Sequence, residues 1–157
     1  MTKIKFKKLI PDAVAPTRYS DGAAGFDLCA AEDATIQNIN VQAQAYVVGT
    51  GVAIAIPEGY HGKVFLRSST GLNTKLRLAN GVGIIDSDYR GEIKLLLENN
   101  SRATIHINKG DRLAQLVIEK NEDVEFTEAN TLSETKRGKG GLGSTNSGKK
   151  DGKYDKV

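Results

Sequence analysis

An all-β domain is the fold class that the sequence predicts, and three observations carry that expectation. Val, Ile and Thr gather in short runs, the runs recur at roughly ten-residue spacing with Gly, Asn, Asp or Pro between them, and no helical period persists. Seventeen glycines, three prolines and no tryptophan suit tight turns between strands. A sandwich, a jelly roll or a barrel would each show this pattern.

Taken in order, Lys3 to Leu9 sets Ile4 and Phe6 between lysines, the period-two alternation of a half-buried strand, and Pro11 and Pro16 then mark a loop. Further strands are expected over 26–30, 35–41, 45–48, 52–56, 63–66, 93–97, 104–107, 113–119 and 124–126. A single helix is expected over 70–77, where Leu72 and Leu76 fall four apart on one face. Beyond Ser133 the apolar periodicity stops and Gly, Ser, Thr, Lys and Asn dominate. The chain is therefore expected to divide into a β domain over residues 1–130 and a flexible Gly/Lys-rich tail over 131–157.

The 157 residues suit one domain with its own core. One cysteine, Cys29, permits no internal disulfide, and neither a leader segment nor an apolar run of membrane-spanning length is seen, so a cytoplasmic-type protein is expected, with no membrane contact. Two distant histidines, His61 and His106, and one cysteine give too few soft ligands for zinc, leaving a hard, oxygen-bound metal as the expectation. Residues 136–157 hold seven basic against two acidic side chains, a net +5 that leaves residues 1–135 at −2 of the total +3. A mildly acidic body argues against a broad nucleic-acid face, whereas a basic glycine-rich tail suits a compact polyanion.

Five segments could carry chemistry. Asp27, inside Ala24-Gly25-Phe26-Asp27-Leu28, reads as a strand-edge acid bonded to backbone amides, or as a charge anchoring a metal-bound water or an arginine. Arg67-Ser68-Ser69-Thr70-Gly71 opens the expected helix; it either caps that helix or forms a compact oxyanion site of guanidinium, hydroxyls and amides. In the run from Asn80 to Glu92, Asp86 follows the apolar pair Ile84 and Ile85, a setting in which a carboxylate can be partly desolvated and act as a base. A calcium loop fails there, because Arg90 and Leu97 occupy ligand positions. Asp111 and Arg112 read as turn formers, while Gln115 within an apolar strand needs a polar partner. Gly138 to Thr145 matches glycine-rich phosphate loops only in outline; it reads as a linker or as a lid that closes over phosphates.

These five segments, in this order and near this spacing, resemble the motifs of the trimeric dUTP pyrophosphatases across residues 24 to 145. The resemblance implies a distorted jelly roll of the β-clip type, a homotrimer with sites between subunits, and Mg2+-assisted hydrolysis of dUTP to dUMP and pyrophosphate. That activity would supply dUMP for thymidylate synthesis and keep uracil out of DNA. By the same resemblance Asp86 activates the attacking water, and Tyr89 packs on the deoxyribose to exclude a 2′-hydroxyl. Asn80 with the backbone of Gly83, Ile84 and Ile85 pairs with uracil. Arg67, Ser68, Ser69 and Gln115 contact phosphates, Lys94 neighbours the substrate, and Asp27 supports that region, touching the metal only through water. Arg137, Gly141, Leu142, Ser144 and Thr145 fall in the segment that covers the nucleotide.

Leu142 stands where many family members carry a phenylalanine that stacks on uracil. Two rivals share the features. A dCTP deaminase of the same fold would need a general-base glutamate where this chain has Leu96, with Glu98 two positions on. A regulatory protein could keep the nucleotide site and signal through a partner.

Overall fold

The computed structural model describes residues 2–41 and 44–141. Contacts divide the chain after Asp123. Among its described residues the first unit holds eleven strands and one short helix. They are β1 (Lys5–Lys8), β2 (Phe26–Cys29), β3 (Ala34–Ile36), β4 (Tyr46–Gly49), β5 (Val52–Ala55), β6 (Tyr60–Leu66), α1 (Ser68–Thr74), β7 (Leu76–Leu78), β8 (Gly83–Ile85), β9 (Lys94–Asn99), β10 (Ile105–Ile107) and β11 (Arg112–Lys120). Every strand pair is antiparallel, and the pairing is nested: β2 lies against β11, β3 against β10 and β4 against β9. A long hairpin folded over on itself gives this nesting, so the all-β expectation resolves to a jelly roll.

Period-two burial explains why these segments are strands. In β9, Leu95, Leu97 and Asn99 point inward while Lys94 and Leu96 point out. The inward residues join Leu28, Ile36, Val48, Val52, Ile56, Leu76 and Leu116, all at most 2% exposed, in one core cluster. The only wholly buried amide side chain among the described residues, Asn99, is fully used. Its Nδ2 donates to the carbonyls of Ile36 (2.9 Å) and Ala103 (2.8 Å), and its Oδ1 accepts from the N–H (2.8 Å) and hydroxyl (2.7 Å) of Ser101.

Four expectations need correction. The helix starts two residues earlier and stops at Thr74, because Lys75 turns left-handed (φ 59°). Leu72 is consequently 79% exposed while Leu76 is buried as the first residue of β7, so the two leucines do not share a helical face. Strand β3 ends at Ile36 rather than Val41, since the Asn38 side chain accepts the Asn40 N–H (2.7 Å) and bends the chain. Segment 124–126 forms no strand: it lies past the boundary after Asp123, and Val124 and Phe126 are 72% and 100% exposed. Gly83–Ile85, in the sequence part of a turn, forms strand β8.

Replacing Asn99 by Ala strips partners from buried backbone groups and should cost at least about 2 kcal/mol. Urea unfolding at fixed protein concentration measures it, and a loss below about 1 kcal/mol would contradict the role given to this amide.

Candidate active site

The seven-residue strand β6 organises the chemistry-bearing side chains, because it lies inside the sheet ordered β2-β11-β6-β8. One end of β6 leads into Arg67 and α1. The other end lies beside β8, whose Ile85 pairs with Gly62. Two separate groups of residues result.

The first group surrounds Asp27. Gln115 of β11 pairs with Asp27 on one side and Phe65 on the other. Oδ2 of Asp27 receives Nε of Arg67 at 3.2 Å and Nη1 of Arg112 at 3.4 Å, with the carboxylate only 14% exposed. Of the readings for Asp27, the arginine anchor is the one these contacts match. Arg67 also donates through Nη1 to the carbonyl of Arg112 (3.1 Å), which fixes its fork while leaving other N–H groups free. Two guanidiniums against one carboxylate leave the cluster a net positive charge. Gly25 belongs to the same construction: a Cβ there would lie 2.6 Å from Oε1 of Gln115.

Capping does not consume the hydroxyls of the Arg67 segment. The N-cap is Arg67, with no side-chain capping bond. Thr70 is buried and its hydroxyl donates to the Arg112 carbonyl (3.4 Å), whereas Ser68 and Ser69 are exposed. Two of the three hydroxyls thus face outward beside Arg67. Cys29, also near these charges, is a buried core residue whose thiol is pushed up chiefly by burial and further by the Asp27 carboxylate.

The second group lines a cleft of about 230 Å³ formed by Asn80, Gly83, Ile84, Ile85, Asp86, Tyr89, Glu92, Lys94, Leu96, Val64 and Leu78. Gly81 (φ 69°) turns the chain between β7 and β8. Strand β8 is an edge, so one side of its backbone is free to pair with a ligand. A Cβ on Gly83 would sit 3.2 Å from Cβ of Val64 and 3.5 Å from Nδ2 of Asn80, so its small size lets Asn80 lie close. A β-turn follows β8, with Tyr89 N–H bonded to Asp86 O (3.2 Å), and Arg90 pins it through the carbonyls of Ser87 (2.6 Å) and Tyr89 (2.8 Å). The Tyr89 ring folds back over Gly91, where any Cβ would fall 2.4 Å from the phenol oxygen, and that hydroxyl donates to the Glu92 carbonyl (3.0 Å).

Asp86 sits on the rim shared with a second, polar cleft bounded by Glu58, Tyr60, His61 and Asn121. Its expected partial desolvation is not met within one chain. Asp86 is exposed, and Ile84, on a strand that is the sheet's edge among the described residues, is itself 55% exposed.

Sequence reasoning missed Glu92 and Arg112. Glu92 accepts the Gly51 N–H at 2.8 Å and stands 3.9 Å from Nζ of Lys94, tying the second group to the loop between β4 and β5. The turn-forming role expected of Asp111 and Arg112 fits only Asp111, whose carboxylate accepts the Asn108 N–H (2.8 Å); Arg112 reaches Asp27 instead. The histidines are strand residues with surface partners: His61 meets Asn121 (2.6 Å) and His106 meets Thr35 (3.2 Å). Glu98 is not among the cleft residues and pairs across the sheet with Arg77, while Leu96 does line the cleft.

In the second unit, Arg137 donates through Nε to the Gly140 carbonyl (2.9 Å), and Gly138 N–H bonds back to Thr135 O (3.0 Å), a compact turn. Gly141 is exposed. Leu142, Ser144 and Thr145 lie outside the described residues.

The family model described as dUTPase matches residues 12–146. The chain is 41% identical over 143 residues to the deoxyuridine 5'-triphosphate nucleotidohydrolase of Helicobacter pylori (strain P12), covering 91% of this chain and 96% of that protein. It is 45% identical over 143 residues to the enzyme of the same name from Corynebacterium diphtheriae, covering 90% and 91% respectively. Among solved structures it resembles the Staphylococcus bacteriophage 80alpha dUTPase with dUpNHpp, with TM-score 0.81, 27% identity and coverage of 92% and 98%. A mutant dUTPase from phage phi11 of S. aureus, described with a structural Mg(II) ion, matches with TM-score 0.73, 29% identity and coverage of 83% and 98%.

Proposed function

The chain belongs to the dUTPase family, and we propose that it hydrolyses dUTP to dUMP and pyrophosphate with Asp86 holding the attacking water against the α-phosphorus. The observation that carries this reading is the single cleft gathering Asn80, the free edge of β8, Tyr89 and Asp86. A base-pairing edge, a sugar-sized ring and a carboxylate succeed one another there in the order of a nucleotide's own parts.

Uracil would pair with Asn80 and the backbone of Gly83 to Ile85. Tyr89, fixed over Gly91, would lie against the deoxyribose where a 2′-hydroxyl has no room. Lys94, held by Glu92, adds positive charge to the same cleft. Arg67, Ser68, Ser69 and Gln115 would hold phosphate oxygens, with Asp27 orienting Arg67. An exposed Asp86 becomes an effective base only when nucleotide and neighbouring protein displace water around it.

A homotrimer with clefts between chains is the assembly this reading calls for, and the separation of the two groups supports a site shared between copies. Arg67 lies five residues along β6 from Gly62, the partner of Ile85, which puts the phosphate group roughly 16 Å from the start of the Asp86 turn. No residue of the first group lines the nucleoside cleft. A second copy would supply what one copy keeps apart.

Among the described residues no three His, Cys, Asp or Glu side chains gather to cage a metal. An oxygen-only donor set, with Asp86 and Glu92 as the carboxylates of the cleft, fits a Mg2+ that enters on the substrate's phosphates and keeps waters, and Asp27 in the other group would touch it only through water. Bound Mg2+ would offset the charge of the triphosphate. Arg137, Gly141, Leu142, Ser144 and Thr145 would close over the nucleotide, with Leu142 covering the base without an aromatic face. A deaminase is disfavoured by Leu96, an apolar side chain at the place in the cleft where that chemistry needs a glutamate.

Pyrophosphate release from dUTP, compared with dCTP, dTTP and UTP, tests the assignment; ammonia from dCTP would overturn it. Asp86→Asn should retain dUpNHpp binding and lose about 10²- to 10⁴-fold in kcat. Near-normal turnover would remove Asp86 from its role. Gly91→Ala should displace the Tyr89 ring and narrow the preference for dUTP over UTP by about tenfold or more, read from the ratio of kcat/KM values. Removing residues 131–157 should depress turnover while circular dichroism and melting of the body persist, and an unfolded product would contradict the covering role.

A further inference from the structure

We infer that Tyr19 is a positioning residue for Arg67, acting through Arg112 and Asp27; the inference rests on the dUTP-hydrolysing reading above. The guanidinium carbon of Arg112 stands 4.2 Å from the centre of the Tyr19 ring, a cation–π distance. That same guanidinium bonds Oδ2 of Asp27, the oxygen that also receives Arg67. One carboxylate oxygen therefore serves two arginines.

Both contacts, 3.2 and 3.4 Å, are longer than the ~2.7–2.9 Å of a tight charge-assisted bond. The sharing has a chemical consequence. While Arg112 neutralises Asp27, the carboxylate holds Arg67 in place without capturing its fork, and Arg67 can turn its free N–H groups to a phosphate. If Arg112 swung away, Asp27 would be left with Arg67 alone and would draw the planar fork into a bidentate pair. The residue meant for phosphate would then be spent on its own anchor.

Tyr19 is placed to prevent that swing. Its loop is fastened to β2 by the two residues just before it: the Asp27 N–H donates to Thr17 O (2.9 Å), and Arg18 lies over the Phe26 ring at 4.4 Å. Tyr19 is 59% exposed and outside the core cluster, and its ring meets the body at Arg112. Nothing in the nucleoside cleft involves it.

Tyr19→Leu removes the π face and Tyr19→Phe keeps it. In the full-length protein, the Leu variant should weaken competitive inhibition by dUpNHpp and raise the KM for dUTP roughly two- to fivefold. Its kcat and its inhibition by deoxyuridine, which carries no phosphate, should stay at wild-type values. Tyr19→Phe should restore the affinity for dUpNHpp. The inference is overturned if the Leu variant binds dUpNHpp as the wild type does, if deoxyuridine binding falls in parallel, or if Phe fails to rescue. A wild-type protein that releases no pyrophosphate from dUTP would instead sink the functional reading, whatever the Tyr19 variants do.

Discussion

The seven-rung antiparallel ladder between β6 and β11 is the constraint on which the site depends. It sets Gln115 opposite Phe65, gives the Arg67 N–H its partner in Leu113 O (3.1 Å), and aligns β2 on the far edge so that Asp27 meets both arginines. On its other side β6 carries β8 and hence the Asp86 turn. A strand is a stiff spacer of about 3.3 Å per residue. The ladder that makes each group rigid therefore also holds the two groups apart, which is why the proposed function calls on a second copy.

Within the nucleoside half, rigidity comes from small residues and tight turns instead of from a buried core. Strand β8 contributes three residues and a free edge, and Arg90 staples the following turn through two carbonyls. Tyr89 is held by a glycine beneath it and by one hydrogen bond to the chain it flanks. Under the proposed function, such a cleft would hold its recognition groups in fixed positions and so limit the entropy lost on binding.

Much of this was legible in the sequence, because the strands follow burial alternation and the five segments announce themselves by composition. Other parts were not legible, for identifiable reasons. Three residues apart on a regular strand, Arg112 and Gln115 would face opposite sides. A β-bulge between Arg112 and Ala114 turns Arg112 to face Cys29, and so onto the side of Asp27. No alternation rule reveals that. Leu72 and Leu76 obeyed helical spacing, but the left-handed Lys75 sent them to different elements. The exposure of Asp86 was hidden for a third reason: apolar neighbours in sequence desolvate a carboxylate only if something covers them, and a sheet edge leaves Ile84 open.

Gly25 and Gln115 stand ninety positions apart, yet the missing Cβ of one is the space occupied by the amide of the other. Their histories are therefore joined. A side chain gained at Gly25 would push the Gln115 amide out of its place, and a shorter residue at Gln115 would ease the crowding only in part, because a Cβ there would remain 3.0 Å away. The two positions are thereby coupled: which residue fits at one depends on which stands at the other.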